Sequence, residues 1–391
     1  MPDRVDVAVV GAGPFGLSVA AHLADRRVRV FGAPMQTWRT RMPPDMRLRS
    51  DWEETSLSAP ADRGSIDVWS RASGEPREEP IPLEKFLRYS DWFRATFVPD
   101  ADPHDVVHLD RAAGVLRITT AGGDEVDARR AVLAVGVTPF PHAPPPFDGA
   151  MGGDIGFAID RRDYTPYAGG RVVVVGGGQG GLEAAALARR AGAEVELVVR
   201  SRLRWFTDRE PYTPRGPLRQ RLYRAAYPVV GYGPPPLNRL AIHPDVFAAL
   251  PAGARRRVAA RILRAGGSPW VRSEIEGRVA VTEGVAVQGV ERNGDSIRLA
   301  LSDGSVRVAD AVVVSAGFRF SLDRLGFLSP TVRAGVAVRD EWPVLDRYFR
   351  STDPDLRFVG FAAERRFGPI ARFVSGSRFT AFRVREGIDR R

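Results

Sequence analysis

Two stretches of this chain repeat one pattern, and few folds can hold that pattern twice. VDVAVVGAGPFGLSVAAHLADRRVRVFG (5–32) and RVVVVGGGQGGLEAAALARRAGAEVELVVR (171–200) each pass from an apolar β-prone run through a glycine-rich turn into an Ala/Leu-rich helical segment, then into a second β-prone run. That order is a βαβ unit, whose strands lie parallel in one sheet with the helix crossing between them. Each unit is followed at a distance by a short apolar strand ending in glycine, ARRAVLAVG (128–136) and VADAVVVSAG (308–317). Before each return comes a meander punctuated by turn signals, LRITTAGGDEVDARR (116–130) and IRLALSDGSVRVAD (297–310). The chain therefore predicts an α/β fold of two Rossmann-like units, the second inserted into the first. The expected boundaries are 1–150 for the first part of one domain, 160–310 for the second domain with an insertion at 203–275, and 311–391 for the rest of the first, with the Pro-rich PFPHAPPPFDG (139–149) as linker. At roughly 150 residues per domain, 391 residues agree with two or three.

A turn that receives a dinucleotide needs its three glycines for separate reasons. One makes the tight turn, one lets the backbone approach the pyrophosphate, and one lets the helix pack on the strand, while the helix N-terminus offers free N–H groups to the phosphates. Gly11, Gly13 and Gly16 meet G-x-G-x-x-G directly after a strand and at a helix start, and Gly176, Gly178 and Gly181 meet it again. At the end of the second strand an acid would accept ribose hydroxyls, whereas arginine would pair with a 2′-phosphate. The second unit ends in Val199-Arg200-Ser201-Arg202, which favours NADPH over NADH; the plainer reading is an exposed strand end in an Arg-rich protein. The first unit ends in Phe31-Gly32 without an acid, so other groups hold that ribose or it is left to water.

Composition removes several other chemistries. The chain has no cysteine, which excludes disulfides, thiolate catalysis, Cys-ligated zinc and Fe–S clusters. Its five histidines (22, 104, 108, 142 and 243) show no ligand spacing, so no metal is expected. The net charge of +10 could suggest nucleic acid, but Lys85 is the only lysine among 57 basic residues and the arginines are scattered, which points to a GC-rich genome instead. No apolar run approaches the ~20 residues of a membrane span, and the start lacks the features of a signal peptide. The expectation is a cytoplasmic protein with neither nucleic acid nor membrane as a partner.

Residues 203–275 lack a clean period until PDVFAALPAGARRRVAARILRAGG (244–267), which reads as helical. This insertion either packs over a site or is a peripheral elaboration or oligomer contact. Trp205, Phe206, Tyr212 and Tyr223 line a substrate cavity on the first reading and form the insertion's own core on the second. His22 is expected to be packed or exposed on its helix rather than catalytic, His142 to be a loop histidine rather than one that touches a ligand, and Glu53-Glu54 and Glu78-Glu79 to be solvated.

The two glycine turns and the two strand–glycine returns resemble the glutathione-reductase-like flavoproteins with two dinucleotide-binding domains. Among these the chain is most similar to the NADPH-dependent flavin monooxygenases, the group that holds microsomal-type flavin monooxygenases, amine N-hydroxylases and Baeyer–Villiger enzymes. The similarity covers nearly the whole chain and is weakest over 203–275. It implies FAD at Gly11, Gly13, Pro14, Phe15 and Gly16, and beside the flavin the segment PMQTWRTRMPPDMRLRS (34–50), with Gln36, Trp38, Arg39, Met46, Leu48, Arg49 and Ser50. Trp38 matches the family's G-G-x-W tryptophan, and Gly136 and Gly317 match its A-T-G returns, written here LAVG and VSAG. Phe367, Gly368, Pro369 and Ile370 would reach the flavin ring, and NADPH would lie on Gly176, Gly178, Gln179, Gly180, Gly181, Arg200, Ser201 and Arg202.

The chain departs from the family in three places. Gly360 is followed by Phe361 where members with a C-terminal G-D motif place an acid on the ribityl chain. The Baeyer–Villiger motif is absent from 140–165, and GGDIGFAIDRRDY (152–164) stands where relatives tend to have His-Ser. The activity the resemblance implies is an NADPH-dependent monooxygenation with FAD and O₂, passing one oxygen atom to nitrogen, sulfur or carbon of a small organic metabolite. It is compatible with secondary metabolism and leaves a homo-oligomer open. No side chain is required as general acid or base, so no catalytic residue is assigned. Two other readings stay open: an oxidase, desaturase or cyclase with a degenerate NADPH site, suggested by 152–164 and by Gly180 beside Gly181, and a flavin reductase passing electrons to a partner protein.

Overall fold

The computed structural model describes residues 3–206, 233 and 237–390. Its first sheet is assembled from β1 (Asp3–Val10), β2 (Val28–Phe31), β3 (Val106–Ala112), β4 (Val115–Thr120) and β5 (Glu125–Leu133), in the order β2-β1-β5-β4-β3. The helix α1 (Pro14–His22) crosses between β1 and β2, and α2 (Gln36–Thr40), α3 (Ile66–Ser73) and α4 (Leu83–Phe97) fill the long connection from β2 to β3. β1 and β5 run parallel in register from Asp3 opposite Val126 to Val10 opposite Leu133. Their apolar runs are buried, as expected of the parallel part of this mixed sheet and its near-continuous Val/Ala/Leu composition.

The second sheet is wholly parallel. It contains β6 (Ile155–Phe157), β7 (Arg171–Val175), β8 (Glu194–Val199), β9 (Ala280–Glu283) and β13 (Ala311–Val314), ordered β6-β13-β7-β8-β9, with α5 (Gln179–Arg190) crossing from β7 to β8. Between β9 and β13 the meander β10 (Val287–Asn293), β11 (Ser296–Leu301) and β12 (Val306–Ala309) forms a separate antiparallel sheet. A short hairpin, β14 (Val338–Arg339) with β15 (Trp342–Pro343), precedes β16 (Leu356–Phe358).

β5 joins the ends of the chain. One edge pairs with β1; the other takes β4 antiparallel over its first half and β16 parallel over its last, Leu356 opposite Ala131 and Phe358 opposite Leu133. Residues 356–358 thus return to the first sheet after the chain has built the second. The guanidinium of Arg111 on β3 secures this return by donating to Asp353 at 2.7 Å and Asp355 at 2.9 Å, just ahead of β16. The helix Gly376–Gly387 then packs on α1.

Three readings of the loops are corrected or refined. Glu54 is buried and Glu79 accepts the backbone N–H of Trp52 at 2.7 Å, so these acids are structural rather than solvated. The helical run 244–267 is broken into Pro244–Ala249 and Ala252–Ile262 at Pro251, which cannot continue a helix because it lacks the N–H. GGDIGFAIDRRDY supplies the edge strand β6 and ends at Tyr164, which is buried against the core around α5. Among the described residues no helix is long and apolar enough to cross a membrane, and no three side chains are grouped to hold a metal.

Because Leu133 is fully buried on the strand that joins β1 and β16, Leu133→Ala should lower unfolding free energy by about 2–5 kcal/mol. Val344→Ala, at an exposed apolar position, should stay within about 0.5 kcal/mol. Urea denaturation of both variants checks the contrast.

Candidate functional site

The two glycine turns are near copies in atomic detail. Gly11 has φ +107° and Gly176 φ +124°, conformations that L side chains rarely adopt, and a Cβ on either would fall 2.4 Å from the Ala134 carbonyl oxygen or 2.2 Å from that of Ser315. The third glycines are wedged harder: a Cβ on Gly16 would lie 1.8 Å from the Gly11 oxygen, and one on Gly181 2.0 Å from the Gly176 oxygen. The middle glycines differ in kind. A Cβ on Gly13 would meet nothing within 4 Å, and one on Gly178 only Ala265 at 4.0 Å. Gly13 and Gly178 are the N-caps of α1 and α5, and neither helix start is capped by a side chain. Each turn therefore presents open space to a helix N-terminus whose first amides lack intrahelical partners, the arrangement that receives an anionic group.

Around the first turn the structure gathers residues distant in sequence. Met35 donates its amide to Ala12 O at 3.0 Å, and Thr37 is hydrogen-bonded to Thr138 at 2.7 Å, which ties the start of α2 to the loop carrying Gly136. The Phe15 ring lies against Gly360, whose φ of +63° keeps that strand–glycine end close. The open end of β2 also acquires acids that sequence spacing hides. Asp102 bridges to Phe31, and the Asp105 carboxylate lies 3.6 Å from where a Cβ on Gly32 would sit. Both come from the loop before β3, about 70 residues away in sequence.

The segment 34–50 is distributed unevenly. Trp38 packs edge-on against Phe86 of α4 at 4.8 Å, and Met46 and Leu48 are buried where their backbone exchanges hydrogen bonds with Ile81 and Leu83. Gln36 and Arg39 are exposed, and Arg39 pairs with Asp91. Ser50 is partly exposed, while the guanidinium of Arg49 stacks over the rings of Phe206 (4.9 Å) and Phe373 (5.7 Å). Arg49 thus meets both the start of the insertion and the C-terminal segment. Phe367 turns inward onto Phe349 at 4.1 Å; Pro369 and Ile370 are buried, and Gly368 lies under the ring of Phe247 from the insertion. The described part of the insertion therefore packs on 364–373. Tyr212 and Tyr223 lie outside the described residues.

At the second turn, Gly180 and Gly181 both approach the Ser315 side chain, and the return Gly317 has φ +85° with open space before it. Gln179 does not point into that space. Its amide oxygen accepts the Ser268 N–H at 2.7 Å and its nitrogen donates to Glu183 at 2.7 Å, so it clamps the end of the insertion to α5. Arg200, Ser201 and Arg202 are exposed just past β8, and neither arginine has an ion pair among the described residues. Ser315 lies in the VSAG return but was not singled out there, and Ser268 escaped the sequence reading because it lies in no recognisable motif. Of the two placements expected for His22, packed or exposed, the structure shows the packed one: it is buried and hydrogen-bonded to Ser58 at 2.9 Å, and burial pushes its pKa down. His142 is a loop residue whose N–H bonds the Gly317 carbonyl, with burial and then Arg319, Arg324 and Arg200 pushing its pKa down.

Glu183 is the perturbed acid nearest this turn. Burial on the face of α5 pushes its carboxyl up to about 7, with Asp45 adding to the rise and the Gln179 amide and Arg49 opposing it. The group therefore changes charge near neutral pH beside Arg49 of the first unit.

A description of the pyridine nucleotide-disulphide oxidoreductase family matches residues 5–210. Among curated proteins, indole-3-pyruvate monooxygenase YUCCA1 of Oryza sativa subsp. japonica is 29% identical over 208 residues, 49% of this chain and 47% of that protein. The chain thus spans about half the length of the curated relative it matches. Among solved structures, the ornithine N-hydroxylase of Kutzneria sp. 744 superposes with a TM-score of 0.75 at 18% identity over 99% of both chains. The ornithine hydroxylase of Pseudomonas aeruginosa gives 0.72 at 17% over 98% of both, and the bacillithiol disulfide reductase of Staphylococcus aureus 0.66 at 14% over 98% of both. At these identities the likeness is one of fold.

Two outcomes follow from the geometry. Gly16→Ala should destabilise the apoprotein by about 3 kcal/mol or more, since a backbone carbonyl must move, whereas Gly13→Ala should leave apoprotein stability within about 0.5 kcal/mol; thermal unfolding separates them. Glu183 holds its proton in the folded state up to about pH 7 but in the unfolded state only to about 4.5, so the folded state binds more protons between these values. Its contribution to stability then falls as pH rises through that window, by roughly 3 kcal/mol in all, and is constant above it. Denaturation of Glu183→Gln beside wild type from pH 4.5 to 8 should show the difference between them growing in favour of the variant, and a constant difference would refute the assignment.

Proposed function

The chain belongs to the pyridine nucleotide-disulphide oxidoreductase family, and from that footing we propose that it is an FAD-dependent, NADPH-dependent monooxygenase acting on a small organic substrate with O₂. One observation carries the reading. Both glycine turns wedge their outer glycines against backbone while the middle glycine faces open space at an uncapped helix start. These residues fit two dinucleotide pyrophosphates. The disulphide chemistry of the family name needs thiols, and this chain has none. The monooxygenase activity printed for the curated relative and the hydroxylases of the same fold support oxygen transfer.

On this reading the first unit, 1–150 with 311–391, takes FAD, and the second, 160–310, takes NADPH. Bound FAD supplies the redox and oxygen chemistry. The protein's own residues hold and shield. Amides after Gly13 and Gly178 bind the two pyrophosphates, and Asp105 over Gly32 is placed to accept from the first ribose, the acid that β2 itself lacks. Arg200 and Arg202, exposed and without ion pairs among the described residues, pair with a 2′-phosphate; this favours a working NADPH site over a degenerate one. Phe247 over Gly368, and Phe206 and Phe373 around Arg49, cover the segment that would border the flavin and keep water from it.

The purified protein should be yellow, and anaerobic NADPH should bleach its absorbance at about 450 nm much faster than NADH. Arg200→Ala should erode that preference by about tenfold, near 1.4 kcal/mol. A yellow protein that NADPH leaves unbleached would overturn the proposal.

A further inference from the structure

Among the described residues, five arginines from three separate elements crowd together at 364–368, and one carboxylate is shared between two of them. Arg255 and Arg256 lie on the helix Ala252–Ile262, Arg339 on the β14–β15 hairpin, and Arg365 and Arg366 on the short helix Glu364–Phe367. The Nη1 atoms of Arg255 and Arg366 both donate to the Ala248 carbonyl, at 2.9 and 3.2 Å, so two guanidiniums converge on one oxygen. Asp340 is shared between Arg256 at 3.3 Å and Arg365 at 3.6 Å. Nearby acids are engaged elsewhere: Glu364 with Arg372, Glu341 with Arg319 and Asp245 with Arg383. The Nε of Arg366 is buried with no hydrogen-bond partner among the described residues. Arg255 is partly buried, and the neighbouring charges acting on it most strongly, Arg366, Arg339 and Arg365, are all cationic and add to burial in lowering its pKa.

Like charges brought this close and partly desolvated cost stability. Proteins keep such clusters chiefly where a ligand of opposite charge repays the cost. Arginine presents a planar fork of donors that matches the oxygens of carboxylate and phosphate. Among the described residues the surplus is four positive charges, which a single carboxylate would leave mostly uncompensated. Arg255 and Arg366 are recessed where three elements meet, which suits a small ligand better than a flat macromolecular surface.

We propose that Arg255 and Arg366, supported by Arg256, Arg339 and Arg365, form a binding site for the phosphate or pyrophosphate group of a small-molecule ligand, separate from both glycine turns. The site shares no residue with either turn, and it stands whether or not the flavin reading holds.

Inorganic pyrophosphate is the probe, titrated calorimetrically at constant ionic strength into full-length protein loaded with FAD and saturating NADP⁺. Wild type should bind saturably, and Arg255→Gln/Arg366→Gln should bind at least about tenfold more weakly. Without pyrophosphate the double variant should melt no lower than wild type, because removing two repelling charges relieves strain. Should that variant fail to fold, Arg339→Gln on the exposed hairpin removes one charge alone and should weaken binding about threefold with a shallower salt dependence. Absence of saturable binding to wild type overturns the proposal. So does pyrophosphate binding that survives undiminished in the variants, since it would belong to a glycine turn or to general surface charge.

Discussion

Both halves of this protein depend on how closely a helix can approach the strand before it. At the first turn the Cα of Gly16 sits so near the Gly11 carbonyl, and Gly11 so near the Ala134 carbonyl, that a single methyl group at either place would overlap backbone. The second turn repeats the contacts with Gly181, Gly176 and Ser315. Because these contacts are between backbone atoms, side-chain rearrangement cannot relieve them. They aim the N-terminus of each helix at the end of its sheet and leave the middle glycine facing empty space. The cradle is thus a by-product of tight packing, which is why it recurs twice with the same geometry.

A cradle becomes a site only when other segments reach it, and here they reach it through β5. Pairing with β1 along one edge and with β4 and then β16 along the other, β5 brings the end of the chain back beside its beginning. Gly360, just after β16, then meets the Phe15 ring on α1. The insertion is held at two places: Ser268 near its end is clamped by Gln179 on α5, and Phe247 within it lies on Gly368. Arg49, with one aromatic neighbour from the insertion and another from the C-terminal segment, sits where the three parts converge.

Among the described residues about half of the arginines are neutralised in pairs, such as Arg111 with Asp353 and Asp355, Arg117 with Asp127 and Arg307 with Glu196. Others are not paired in this way, among them Arg200 and Arg202 past β8 and, beside 364–368, Arg255 and Arg366. Glu183 on α5 is set apart by the burial that pushes its carboxyl up to about 7.

The repeated β-turn-α-β pattern, the two glycine triplets and the strand–glycine returns were legible from sequence because each is local: a period, a turn requirement and a helix start fall within about 30 residues. The absence of thiols was equally plain. Tertiary structure alone decided what depends on contacts between distant segments. It turned Gln179 away from the second cradle and onto Ser268, buried Glu54, and split 244–267 at Pro251 into two helices, one of which rests on 364–368. It also brought Asp105 to Gly32 and gathered five arginines from three elements, two of them on the Asp340 carboxylate and two on the Ala248 carbonyl. Such juxtapositions leave no periodic trace, because chain closure over scores of residues costs little more than over a few, and the pairing is chosen by sheet register and packing rather than by neighbouring residues.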